Sequence, residues 1–292
     1  MPMRIFLPIL AALLLAFCTN GVSAQFRATA KGISFSQNPV PERETQNVLR
    51  FDYGMNIGFY MANPGTANYY NGSGEHSLER AIITNSFNYN RIRQEIGYDF
   101  QIHGLPSQMS YKPAMMLGFF GAMNFNPRAG IMAEFNYARL KAEDRFTLEI
   151  ERVVFIEGDN IELYPIYGTE ERLDLRFSFQ YTFLSKSSYL HPFLETGVSI
   201  TDTKVKENRV RVRSNTIAIQ NPVSSFYQIR DYGIGFGGFA TAGLKMDVNE
   251  TFALWLGYSA NYSLINLGEN DKFLLQHTLF LRFSLAGLTG VN

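Results

Sequence analysis

Charged side chains in this sequence stand at alternate positions between apolar ones, a spacing that bears on chemistry before any fold is assumed. On the parity opposite the apolar rows lie Arg50, Asp52, Arg91, Arg93, Glu95 and Asp99, then Glu134, Asp174, Arg176, Glu195 and Arg282. If the apolar rows face lipid, these residues face a lumen, with five positive charges against six negative ones. Such a set is either a proton or ion path or a group of mutually paired side chains filling a narrow bore. A small barrel has an interior just wide enough to be filled by side chains, and buried charges are tolerated when they are paired and hydrogen-bonded. Phe120, Phe239, Trp255 and Phe280 share the inward parity and would fill the space between the ionic pairs, so a lumen plug is expected.

No second chemistry emerges. His76, His103, His191 and His277 do not stand at metal-ligand spacing from one another. His76 and His103 lie near Glu75 and Asp99 in sequence, where an outer-membrane hydrolase would place a His-carboxylate pair, but no Ser, His and acid grouping assembles from the sequence. The run Gly233-Ile234-Gly235-Phe236-Gly237-Gly238 matches the dinucleotide pattern GxGxxG without the helix that would bind a pyrophosphate. Glycines on the inward parity are instead expected to make room for large neighbours. The expectation is a chain that is not an enzyme, with no cofactor, metal or catalytic residue. Adjacent Tyr69 and Tyr70 are expected to meet a partner or lie at the lipid interface.

The elements that must position these residues are long alternating strands. From Tyr232 to Leu264, apolar residues hold the even positions of both arms of a hairpin that turns at Val248-Asn249-Glu250. Each row exceeds the roughly 5 to 6 residues of an ordinary strand and suits the roughly 9 to 11 of a tilted strand crossing a bilayer. Similar rows run from Leu49 to Met61, Met115 to Phe125, Ile131 to Tyr137, Leu173 to Phe183, Leu190 to Ile200 and Leu275 to Leu285. Another row runs from Ile92 to Ile102, and weaker alternation at Ala81 to Tyr89 supplies a tenth. A single bacterial barrel needs an even number. The expected fold is therefore an all-β, transmembrane, antiparallel up-and-down barrel of ten strands, with eight as the fallback and long extracellular hairpins beyond Lys141 and Thr201.

Residues 1–24 show a basic start, an apolar run and a small-residue end before Gln25, the layout of a secretory signal peptide. An N-terminal lead-in is expected at 25–48, the barrel at 49–287 and a C-terminal tail at 288–292. Cys18, the single cysteine, would leave with the signal, and 26 basic against 26 acidic residues give no bias toward nucleic acid. The expected partners are outer-membrane lipid and an extracellular or envelope protein, in the cell outer membrane.

The phrases Phe125-Asn126-Pro127-Arg128-Ala129-Gly130-Ile131-Met132-Ala133-Glu134-Phe135-Asn136-Tyr137 and Tyr189-Leu190-His191-Pro192-Phe193-Leu194-Glu195-Thr196-Gly197 resemble turn-plus-strand segments of small outer-membrane barrels of the Bacteroidota, the PorT-like or OmpX-like group. The resemblance is one of pattern over most of the mature chain. It implies the barrel fold. The function expected of the chain is that of a small closed barrel acting as an envelope, adhesion or accessory-binding protein through its extracellular loops, with a narrow solute channel as the alternative and a hydrolase third. Such barrels usually end on an aromatic residue, whereas here Phe283 is followed by Ser284 to Asn292.

Overall fold

Alternation of the kind seen in Leu49 to Met61 leaves one apolar and one polar face on a pleated strand, and a closed sheet is the arrangement that satisfies such strands in lipid. The computed structural model describes residues 49–74, 77–152, 160–184, 189–219, 232–267 and 271–289. All belong to one compact unit, Glu42–Asn292. The signal peptide and lead-in read at 1–48 lie outside the described residues, as does 290–292.

Ten strands form one sheet among the described residues: β1 (Arg50–Met61), β2 (Phe100–Gly104), β3 (Ala114–Asn124), β4 (Ala129–Ile150), β5 (Ile161–Thr182), β6 (Leu190–Val212), β7 (Asn215–Ala218), β8 (Tyr232–Asp247), β9 (Phe252–Ile265) and β10 (Lys272–Thr289). The ring closes through eight of them, in the order β1, β3, β4, β5, β6, β8, β9, β10 and back to β1. Ile57 stands opposite Leu117 on one side and Leu281 on the other, which fixes the seam. The two short strands sit outside the ring, β2 on the far end of β4 and β7 on the far end of β6. The ten-strand count therefore holds for the sheet, while the ring has the eight-strand circumference. The last strand runs to Thr289, two residues past the barrel end expected at 287.

Outward positions of the ring carry Tyr53, Phe59, Phe119, Phe177, Val198 and Leu256, all exposed. Asp52, Asn56, Glu134, Arg176, Glu195 and Arg282 point inward and are buried. An apolar girdle around a polar interior is the arrangement of a transmembrane β-barrel. No helix among the described residues is long and apolar enough to cross a membrane.

Short turns join β3 to β4, β5 to β6 and β8 to β9 at one rim, where β1 begins and β10 ends. At the opposite rim β4, β5 and β6 continue, with lengths of 22, 22 and 23 residues against 12 for β1. At about 3.3 Å per residue these strands reach roughly 70 Å, well beyond the girdle. Beyond it their inward faces turn apolar. Phe146, Leu148, Ile150, Ile166, Val210 and Val212 are buried together with Ile82, Ile92 and Phe100 from the β1–β3 connection, forming the core of an extracellular lobe.

That connection corrects the strands expected at Ala81 to Tyr89 and Ile92 to Ile102. A π-helical turn spans Arg80–Thr84, an α-helix spans Ser86–Ile96, and only Phe100–Gly104 is extended. Asn85 caps the helix, its side chain accepting from the Asn88 backbone N–H at 3.2 Å. Gly97 ends it at φ +83°, a left-handed conformation that suits glycine. Tyr89, Ile92 and Ile96, three and four residues apart, pack on the lobe core. That is helical spacing, and it overrides the alternation that suggested a strand.

Candidate functional site: the filled and capped lumen

Three inward arginines, each fully buried, divide the bore into layers. Nearest the short-turn rim is Arg282 of β10, which pairs with Glu134 of β4 and reaches Glu195 of β6 at 3.4 Å. Its Nε donates to Asn56 Oδ1 at 3.1 Å. Ser178 Oγ donates to Glu195 at 2.8 Å, and Asn136 Nδ2 donates to Glu134 at 3.3 Å, so both carboxylates have further partners. The guanidinium carbon lies 4.9 Å from the ring centres of Phe120 and Phe280 and 5.5 Å from that of Trp255. Three rings and two carboxylates enclose one cation. This layer draws together residues read as charge network and residues read as plug.

The second layer is Arg176, whose Nε donates to Asp174 at 2.6 Å and whose Nη1 donates to Ser259 at 3.3 Å, with Phe239 beside it at 5.0 Å. Thr201 Oγ1 donates to the other Asp174 oxygen at 3.1 Å. At the short-turn mouth Arg50 donates to Asp52 at 2.7 Å, and Asn124 Nδ2 donates to the second Asp52 oxygen at 2.9 Å.

The third layer was not assigned from sequence. Arg172 of β5 donates to Glu170 at 2.6 Å, to Tyr60 Oη at 3.1 Å, to Gln276 Oε1 at 3.3 Å and to Thr66 Oγ1 at 3.1 Å. The second Glu170 oxygen accepts from Tyr70 at 2.7 Å and from Tyr111 at 2.9 Å. Thr66, Tyr70 and Tyr111 all come from the β1–β3 connection, so this layer latches the lobe over the mouth of the bore. The signal that would have found it is parity: Glu170 and Arg172 continue the inward row of Asp174 and Arg176. Tyr70 is fully buried, which corrects its expected place at a partner or lipid surface. Its ring occupies the space above Gly168, where a Cβ would lie 2.1 Å from a ring carbon.

Four members of the expected charge network are elsewhere. Arg91, Arg93 and Glu95 lie on the Ser86–Ile96 helix and Asp99 just beyond it, all in the lobe, because the segment is helical rather than a barrel strand. Tyr89 donates to Asp99 at 2.8 Å and Arg93 pairs with it at 2.7 Å. Glu95 accepts from the Ser214 hydroxyl and from the Ser214 backbone N–H, the latter at 3.2 Å, which ties the helix to the β6–β7 turn and holds the carboxyl below its usual pKa.

The histidines do not converge. His103 stands 3.6 Å from Glu149, His191 3.5 Å from Asp247, and His277 shares a 2.6 Å hydrogen bond with Tyr258. His76 and Glu75 lie outside the described residues. Among those residues no three His, Cys, Asp or Glu side chains are grouped to hold a metal.

No protein-family model matches this chain, and no curated protein matches it. Among solved structures it is similar to Ail, the attachment invasion locus protein of Yersinia pestis, in complex with the heparin analogue sucrose octasulfate: identity is 9%, coverage 84% of this chain and 100% of that one, and TM-score 0.35. Neisserial surface protein A shares 7% identity over 83% of this chain and 99% of its own, with TM-score 0.39. The outer membrane protein OprG of Pseudomonas aeruginosa shares 10% identity over 84% of this chain and 97% of its own, with TM-score 0.36. This chain's own girdle, ring closure and polar interior make it an outer-membrane β-barrel.

Proposed function

We propose that this protein is a closed outer-membrane barrel that presents its extracellular lobe as an envelope, adhesion or accessory-binding surface and does not conduct solutes. The observation that carries the reading is the succession of Arg282, Arg176 and Arg172 layers, each filled by carboxylates and rings, under a lobe latched at Glu170. A water-filled channel has a polar interior left open. Here aromatic rings occupy that space. The lobe buries its own apolar core, so it stands as a folded platform above the membrane. The likeness of 125–137 and 189–197 to Bacteroidota barrels supports placing the chain within that group.

Planar bilayer recording of the refolded protein tests the reading. The expected result is no steady single-channel current from the unmodified chain. Arg176→Ala should lower stability, with its loss in refolding titrations preceding any gain in conductance. Steady, large currents from the unmodified protein would make it a channel.

A further inference from the structure

We propose that the outward face of β4, β5 and β6, immediately above the apolar girdle, binds the phosphate groups of outer-leaflet lipid. This rests on the reading of the lobe as the working surface and names what its base holds. The girdle ends at Tyr137 on β4, Leu173 on β5 and Ile200 on β6. Arg139 is paired in register with Glu171, and Glu171 with Lys204, so cations appear one pleat, roughly 7 Å, beyond that edge. Lys141, Lys206 and Arg209 follow on the same face. Arg145 and Arg211 stand higher, lining with Tyr167 an open depression of about 660 Å³.

Carboxylates share the band but do not neutralise it. Glu143 takes Lys112 and Lys141, Glu171 takes Lys206 at 2.8 Å, and Glu207 takes Arg209. Asp144 accepts from the Arg145 backbone N–H at 2.8 Å, and Asp202 lies at the girdle's edge. Arg145, Lys204 and Arg211 make no ion pair among the described residues. The band thus keeps a cationic surplus where headgroups lie. The other half of the rim differs: outward from β8 to β10, Phe273 stacks on Tyr262 and meets Phe236 edge-on, with ring centres 5.6 Å apart in both pairs. Basic clusters beside a membrane attract anionic headgroups, and guanidinium groups match phosphate oxygens in bidentate geometry. A soluble polyanion has the same charge, but continuity with the lipid girdle selects the lipid.

The test uses the full chain refolded into phosphatidylcholine nanodiscs doped with bisphosphorylated lipid A or with the same lipid dephosphorylated, the retained lipid being read by native mass spectrometry. The unmodified protein should retain the phosphorylated form at least about tenfold better. Changing Arg139, Arg145, Lys204 and Arg211 to Gln should bring retention of the phosphorylated form down to that of the dephosphorylated form, with heat-modifiable gel mobility unchanged. The smaller pair Lys204→Gln and Arg211→Gln should show a partial loss if the fourfold variant fails to fold. Equal retention of the two lipids, or unchanged retention by a folded variant, would overturn the proposal. So would loss of soluble polyphosphate binding in the variant while lipid A retention persists. Channel currents from the unmodified protein would sink the closed-barrel reading and leave this result standing, so the two failures are separable.

Discussion

Strands β4, β5 and β6 pass through two regions of opposite polarity. In the membrane they place Glu134, Arg176 and Glu195 inside and Phe135, Phe177 and Val198 outside; in the lobe Phe146, Ile166 and Val210 are inside and Arg145 and Arg211 outside. One pleated backbone serves both, because the sign of the alternation depends on what surrounds it: hydrocarbon around the girdle, water around the lobe. The change of solvent coincides with an irregular register. Between Thr169 and Glu170 the β5–β6 pairing shifts past Lys206, an extra residue that moves the buried row of β6 from odd positions such as Thr203 to even ones such as Asn208 and Val210. The Glu170–Arg172 layer lies at that shift, the last polar core before the apolar one.

The most direct way to break the contrast is to remove a centre of each kind. Arg282→Ala leaves Glu134 and Glu195 buried without their cation, and the expected cost is about 3 to 5 kcal/mol. Refolding titrations into lipid, followed by heat-modifiable mobility, should show the whole ring destabilised. Leu148→Ala in the lobe removes apolar packing worth about 2 to 5 kcal/mol, and it should open the lobe to protease while the ring keeps its mobility. If Leu148→Ala abolished the ring and Arg282→Ala spared it, the two regions would not be the separate cores described.

The outward surfaces provide the next test. Phe179 faces lipid on the girdle and Ser178, beside it, faces Glu195 inside. Phe179→Arg should cost about 2 to 4 kcal/mol near the midplane. Arginine at an outward lobe position such as Leu163, which is exposed, should cost little, since water covers that face. A negligible cost at Phe179 would mean that the girdle does not meet hydrocarbon.

Much of this contrast was legible in the sequence, and the missing parts have physical causes. The rows from Leu49 to Met61 and Phe252 to Leu264 declare strands because every second residue is apolar along their whole length. The pairing of Arg282 with Glu134, 148 residues apart, needs ring closure and cannot be read from spacing. Arg91 to Asp99 misled because charged residues on a helix surface also alternate locally. The decisive cues there were Asn85 and Gly97, a cap and a stop, and the three-and-four spacing of Tyr89, Ile92 and Ile96. Tyr70 gave no sign of burial, since the cavity that receives it exists only because Gly168 lacks a Cβ.

The smallest expected effect concerns the boundary between the two regions, where the lobe is latched to the barrel. Burial, reinforced by Glu170, raises the Tyr70 phenol well above its ordinary value of 10.0. A group whose folded pKa is raised contributes stability that is fully present below the unfolded value and is lost as pH rises through the folded one. The Tyr70 contribution should therefore persist to about pH 10 and decline above it, as the unfolded chain ionises and the folded phenol does not. Titration by tyrosinate absorbance should show a late-ionising class, and protease cleavage of the 62–113 connection should rise over the same alkaline range. Tyr70→Phe removes a hydrogen bond to a charged group, worth about 1.5 to 3 kcal/mol. It should delete one tyrosine from the late class and raise cleavage at neutral pH, leaving the ring's mobility unchanged. A late class of unaltered size in Tyr70→Phe would place the latch elsewhere and detach the lobe's closure from Glu170.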